Sequence, residues 1–161
     1  MNRKPSLLIT VITFFGILSA AAYLYAGTTV LDVIKMDNKA YTTHKKGIVS
    51  FSHKKHFTDY AAKSPDLFKN GCGTCHHDKD HKPLLNLKEG DDVQACIECH
   101  KKPGEPPRTK ADEPKLTDKE KLEYQAQALH ENCRGCHKAY NEASGTKDAP
   151  TTCTKCHPKK S

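Results

Sequence analysis

The chain has 161 residues, eight cysteines, ten histidines and a formal net charge of +7. Beyond residue 26 it carries only 18 Leu, Ile, Val and Phe, about 13% of that stretch, whereas less than about 20% marks a chain unable to close an apolar core. These figures exclude an ordinary globular domain folded on its side chains alone. With no tryptophan and no interleaving of aromatic and basic residues, they give no footing for a nucleic-acid partner either.

Taken in chain order, the first feature is a basic start, Arg3 and Lys4, followed by an uncharged apolar run from Leu7 to Ala26. This is the pattern of a signal peptide or an uncleaved membrane anchor, and small residues allow cleavage after Ala22 or Ala26. We expect residues 1–26 to be removed and residues 27–161 to form a single exported domain, with membrane association only if that segment stays. Residues 28–37 and 47–51 are rich in β-branched side chains and predict two short strands in a small hairpin. Beyond them the chain reads as helical turns and loops. Phe51-Ser-His53-Lys-Lys-His56-Phe57 spaces two histidines by three residues between two phenylalanines. Asp91 to Lys101 predicts a short helix. Residues 102–115 hold four prolines and no large apolar residue, which makes them an exposed loop. Thr117-Asp-Lys-Glu120 has the form of a capping box and opens the longest expected helix, 118–139. The fold class expected is therefore mainly α-helical and irregular, with a small N-terminal β-hairpin, a few short helices and one longer one.

One five-residue unit recurs four times and uses every cysteine: Cys72-Gly-Thr-Cys75-His76, Cys96-Ile-Glu-Cys99-His100, Cys133-Arg-Gly-Cys136-His137 and Cys153-Thr-Lys-Cys156-His157. Zinc knuckles and disulfides also use paired cysteines, but neither requires a histidine directly behind each pair. C-x-x-C-H is the attachment site of c-type haem, where two thiols join the porphyrin and the histidine is the proximal iron ligand. Two cysteines at i and i+3 on a helical turn face one edge of the ring. Four haem c groups are expected. Their macrocycles replace the missing side-chain core, so the domain packs around them and the haem-free chain is expected to be unfolded. The units start 24, 37 and 20 residues apart, too irregular for a repeat array.

With four proximal ligands assigned, His44, His53, His56, His77, His81 and His130 remain, and Met36 is the only methionine after residue 1. Methionine can therefore serve one iron at most, and bis-histidine ligation predicts low reduction potentials. His77, directly behind His76, cannot reach the opposite face of the haem that His76 holds, so it serves another haem or none. Neighbouring Cα atoms lie about 3.8 Å apart, and an imidazole reaches roughly 6 Å to its metal. A His-His pair thus keeps two irons within about 16 Å. His130, three residues before Cys133, likewise points to a neighbouring haem. Solvent-exposed histidine is the plain alternative for each.

The order F-x-H-x-x-H (Phe51, His53, His56), C-x-x-C-H-H, three further C-x-x-C-H units and a lone histidine before the third resembles class III cytochrome c, the tetrahaem low-potential cytochromes of sulfate-reducing bacteria. The resemblance covers residues 48–158. It implies His53 opposite His76, His77 opposite His100, His56 opposite His137, and His130 opposite His157, and it gives His44 and His81 no role. The chain departs from the family in its proline-rich insert and in the short spacing from His130 to Cys133.

Six-coordinate irons leave no position for substrate, so an electron relay rather than an enzyme is expected. The resemblance implies a periplasmic carrier between hydrogenase or formate dehydrogenase and membrane cytochrome complexes, in anaerobic sulfate respiration. Two alternatives stand beside it: a membrane-anchored subunit oxidising quinol, and an extracellular metal-reducing cytochrome that stacks with its own copies. Lys138, Lys155, Lys159 and Lys160 are the candidate docking patch, against the plain reading of a solvated lysine surface.

Overall fold

A computed structural model describes residues 30–160. The expected export segment 1–26 and the first two residues of the expected first strand, Thr28 and Thr29, lie outside the described residues. Among the described residues, 31–89 and 93–160 belong to one compact unit, and Val30 and Gly90–Asp92 fall outside it.

The hairpin is shorter than its sequence suggests. Strand β1 (Ile34–Lys35) pairs antiparallel with β2 (Ser50–Phe51), with Ile34 opposite Phe51 and Lys35 opposite Ser50. Met36 N–H donates to Val49 C=O at 2.9 Å and extends the ladder by one bond. Only Ser52 separates β2 from helix α1 (His53–Lys55), which continues as a π-helical stretch, His56–Tyr60, and ends in α2 (Ala61–Lys63). Lys54 N–H donates to Asp32 C=O at 3.2 Å, tying α1 to the chain just before β1. Pro65, pre-set for a first helical position, opens a 3-10 turn over Pro65–Phe68, and Gly71–Thr74 forms a second.

The helix expected over Asp91–Lys101 shrinks to one turn, α3 (Cys96–Cys99). Ala95 before it is extended, at φ −67° and ψ 140°, and His100 after it leaves the helical region at ψ 71°. Residues 91–95 have no apolar face to bury, so nothing carries a helix back through them.

The helix expected over 118–139 forms as two, and its end lies further on. Thr117 caps α4 (Asp118–Leu122), accepting from Glu120 N–H at 3.2 Å while the Glu120 carboxylate accepts from Thr117 N–H at 2.7 Å. Tyr124 then turns extended and bridges to Lys102. Lys102 N–H donates to Glu123 C=O at 2.9 Å, and Gln125 N–H donates to Lys102 C=O at 2.8 Å, so a strand-like contact with a distant segment divides the helix. The second piece, α5 (Gln125–Ser144), runs through the third Cys-His unit and stops at Gly145, whose φ of 67° gives the left-handed cap. The last element is α6 (Cys153–Cys156).

Among the described residues no apolar side chain is buried. The buried polar ones are His100 and Gln125, while Leu31, Val33, Leu85 and Val93 are exposed. Nor is any described helix long and apolar enough to cross a membrane. The order of this chain rests on turns, backbone bonds and what its histidines and cysteines can hold.

Candidate haem centres

The four Cys-His units share one local geometry. Each pair of cysteines spans a single turn: the 3-10 turn over Gly71–Thr74, then α3, α5 and α6. The histidine N–H donates to the first cysteine's carbonyl in three of them, at 3.0 Å for His76, 2.9 Å for His100 and 2.8 Å for His157. His137 is carried inside α5. In the first unit a side chain at Gly73 would sit 3.0 Å from the backbone of Leu84, which folds back against it through the His77–Pro83 bridge.

All eight cysteines are free thiols, and among the described residues no group of three His, Cys, Asp or Glu side chains converges as a zinc cage would. Burial pushes the Cys75 thiol up to about 11, with the neighbouring Cys133 and Cys136 adding to it. Burial also raises Cys96, Cys133, Cys136 and Cys156. Burial thus disfavours the charged thiolate at these sulfurs.

The eight histidines singled out from the sequence come together in four pairs. Ring centroids are 6.3 Å apart for His53 and His76, 6.0 Å for His77 and His100, 6.2 Å for His56 and His137, and 6.1 Å for His130 and His157. Such separations are long for ring stacking; His81 packs on His77 at 5.1 Å. They match two imidazoles facing one metal, since a metal–nitrogen bond of about 2.0 Å plus about 1.1 Å from nitrogen to ring centre, taken twice, gives about 6.2 Å.

Hydrogen bonding fixes which nitrogen faces the partner. A metal-bound histidine usually donates its other N–H to a carbonyl or carboxylate, which sets the tautomer. Nδ1 of His56 bonds Ser52 C=O at 2.8 Å, and that of His77 bonds Asp78 C=O at 2.7 Å. Nδ1 of His100 bonds Leu122 C=O. Nδ1 of His137 bonds Pro150 C=O at 2.7 Å, and that of His157 bonds Gly47 C=O at 2.8 Å. His130 differs, with Nδ1 2.5 Å from the Glu105 carboxylate. His53 Nδ1 is buried without a hydrogen-bond partner, and its ring leans on Phe57 at 5.2 Å. Phe51 packs on His56 at 4.6 Å, so both phenylalanines of this segment brace histidine rings.

Protonation agrees. Burial lowers the pKa of His56, with the nearby His137 and His53 pushing the same way against the Ser52 bond. Burial lowers that of His76 too, helped by His53 and His77. Neutral imidazoles keep the lone pair a metal needs.

Neither His44 nor His81 forms a pair at this spacing, though His81 stacks on His77. His44 contacts the Asp37 carboxylate at 3.0 Å and stacks on Tyr41. His81 occupies the left-handed region at φ 61° in the Asp78–Lys82 turn, where Asp78 Oδ1 accepts from the N–H groups of Asp80 and Lys82. Of the four patch lysines, Lys155 donates to Lys147 C=O at 3.3 Å and Lys160 to His44 C=O at 2.7 Å. Neither the Glu105 contact nor the carbonyls behind the rings are legible from residue type, because a backbone acceptor leaves no trace there and Glu105 sits in a loop without periodicity.

The residues present fit c-type haem: thiol pairs on single turns, paired rings at the spacing of a bis-imidazole metal, and Nδ1 already engaged in six of the eight rings. Comparisons with curated proteins and with solved structures found no match. The chain matches the class III cytochrome C family over residues 30–157. It belongs to the class III cytochrome c family, whose members bind c-type haem and act as electron carriers rather than enzymes.

Proposed function

We propose that this chain is an exported, periplasmic, low-potential electron carrier holding four haem c groups in one domain, residues 27–161, released from the export segment 1–26. The thiols of Cys72 and Cys75, Cys96 and Cys99, Cys133 and Cys136, and Cys153 and Cys156 anchor the four haems. The axial pairs are His53 and His76, His77 and His100, His56 and His137, and His130 and His157. The observation that carries this reading is the set of four ring pairs at 6.0 to 6.3 Å. Bound haem supplies one-electron chemistry at its iron, and two histidines without methionine favour a low potential.

The backbone orders the relay. His76 and His77 are adjacent and serve the first and second centres. His53 and His56 lie on one turn and serve the first and third, and α5 carries His130 of the fourth together with Cys133, Cys136 and His137 of the third. Shared segments therefore link the centres in the order second, first, third, fourth. Partners, by the family resemblance, are a periplasmic hydrogenase or formate dehydrogenase and membrane cytochrome complexes of sulfate respiration.

The test is the holo-protein made in a host that matures c-type cytochromes, measured by intact mass and by electron paramagnetic resonance. Four haem increments on a chain lacking residues 1–26, with all ferric iron low-spin, are expected. Fewer haems or a stoichiometric high-spin centre would overturn the tetrahaem bis-histidine reading, and a retained Leu7–Ala26 would place the carrier on the membrane.

A further inference from the structure

Five of the paired histidines present Nδ1 to a backbone carbonyl, whereas His130 presents its own to a carboxylate, Glu105 Oε1, at 2.5 Å. The contact is built by the proline-rich loop. Lys102 is hydrogen-bonded to Glu123 and Gln125, and Ala126 N–H donates to Gly104 C=O at 3.2 Å, so the loop is pinned along the start of α5. His130 lies one turn beyond Ala126. Gly104 takes a φ of 90°, open to glycine and few other residues, and Pro103, Pro106 and Pro107 restrict the backbone on either side. The carboxylate is thus delivered by backbone bonds and stiff neighbours rather than by a free side chain reaching across.

We propose that Glu105 is a positioning residue that lowers the reduction potential of the haem held between His130 and His157. This rests on the ligand pairing proposed above. A carboxylate accepting the Nδ1 proton makes the ring more basic and pushes electron density toward Nε2. Its charge also favours the more positive iron. Both effects stabilise the ferric state, and a backbone carbonyl, uncharged, does less of each. Half of the Glu105 side chain is exposed, so solvent and salt trim the effect without cancelling it. The loop that departs from the family pattern thereby acquires a task in setting which centre holds the electron last.

The test compares wild type, Glu105→Gln and Glu105→Ala as full holo-proteins, by redox titration followed through resolved haem methyl signals in proton NMR. Gln can still accept the hydrogen bond through its amide oxygen, so it separates charge from position. The His130–His157 centre is expected to shift to higher potential in Glu105→Gln and at least as far in Glu105→Ala, with the other three moving less. An unmoved fourth centre in both variants, or an equal rise at all four centres, would overturn the role of Glu105. If wild type itself shows no low-spin bis-histidine signal from this centre, the ligand pairing fails instead.

Discussion

Gly47 couples the fold to one centre at two atoms, which makes Gly47→Ala a demanding test. A Cβ built there would lie deep inside van der Waals contact of the Pro158 carbonyl oxygen, 2.9 Å from Pro158 Cγ and 3.0 Å from its carbonyl carbon. Two of these three atoms are backbone and cannot rotate away, so the segments must part by roughly 1 Å to restore ordinary contact near 3.5 Å. Overpacking of that kind costs about 1–3 kcal/mol. The same residue's carbonyl accepts from His157 Nδ1 at 2.8 Å, and a shift of that size breaks the bond, adding about 1 kcal/mol. Together, about 2–4 kcal/mol corresponds to a fall in Tm of roughly 5–15 °C for a domain of this size. The assay is thermal denaturation of the holo-protein by circular dichroism, with paramagnetic resonance of the ferric form alongside. The expected result is the lower Tm together with an altered signal from the centre ligated by His157 and unchanged signals from the others. Gly47→Ala melting within about 2 °C of wild type, with its spectrum intact, would refute the contact argument.

Four further outcomes are expected. The rings of His56 and His137 are inclined by 30°, whereas the other pairs stand at 70°, 73° and 86°. Near-parallel ligand planes act on one iron d orbital and near-perpendicular planes on two, so paramagnetic resonance should resolve one rhombic signal and three highly anisotropic ones; four alike would count against these orientations. His77→Ala should convert the centre at Cys96 and Cys99 to high spin while that of His53 and His76 stays low-spin, read by the same spectroscopy. Stripping the haem should leave a chain with no cooperative melt by circular dichroism, since no apolar side chain among the described residues is buried; a sharp transition in the apo-protein would sink that account. Thr117→Ala removes the capping acceptor for Glu120 N–H and should lower stability by about 0.5–2 kcal/mol in denaturant titration, with haem content unchanged.

What could be read in advance divides by sequence distance. The Cys-His units are contiguous, since one turn has to present both sulfurs and the histidine, and contiguous chemistry leaves a pattern in the letters. The Thr117 capping box is equally local and forms. The division of the long helix at Tyr124 depends on Lys102, 22 residues away, and no periodicity announces it. The helix expected over Asp91–Lys101 shortens to the turn around Cys96 and Cys99, because the residues before it have no face to bury. Spacing left His53, His56, His77 and His130 as free candidates for several irons; the family resemblance, rather than geometry, suggested which ring meets which. Glu105 was hidden for another reason: its neighbours are loop formers, and its contact is made through the backbone path of a loop that composition describes only as exposed.

That the polypeptide buries no apolar side chain against its own atoms, among the described residues, also bears on how such a chain evolves. In a packed core each methylene is gripped by its neighbours, and most interior replacements are eliminated. Here the grip is exerted at a small set of sulfur and nitrogen atoms and the carbonyls behind them, so the stretches between can drift in letters and in length at small cost. Descendants of one such chain would lose their resemblance to each other quickly while keeping their shape, and a new loop can be acquired without rebuilding an interior.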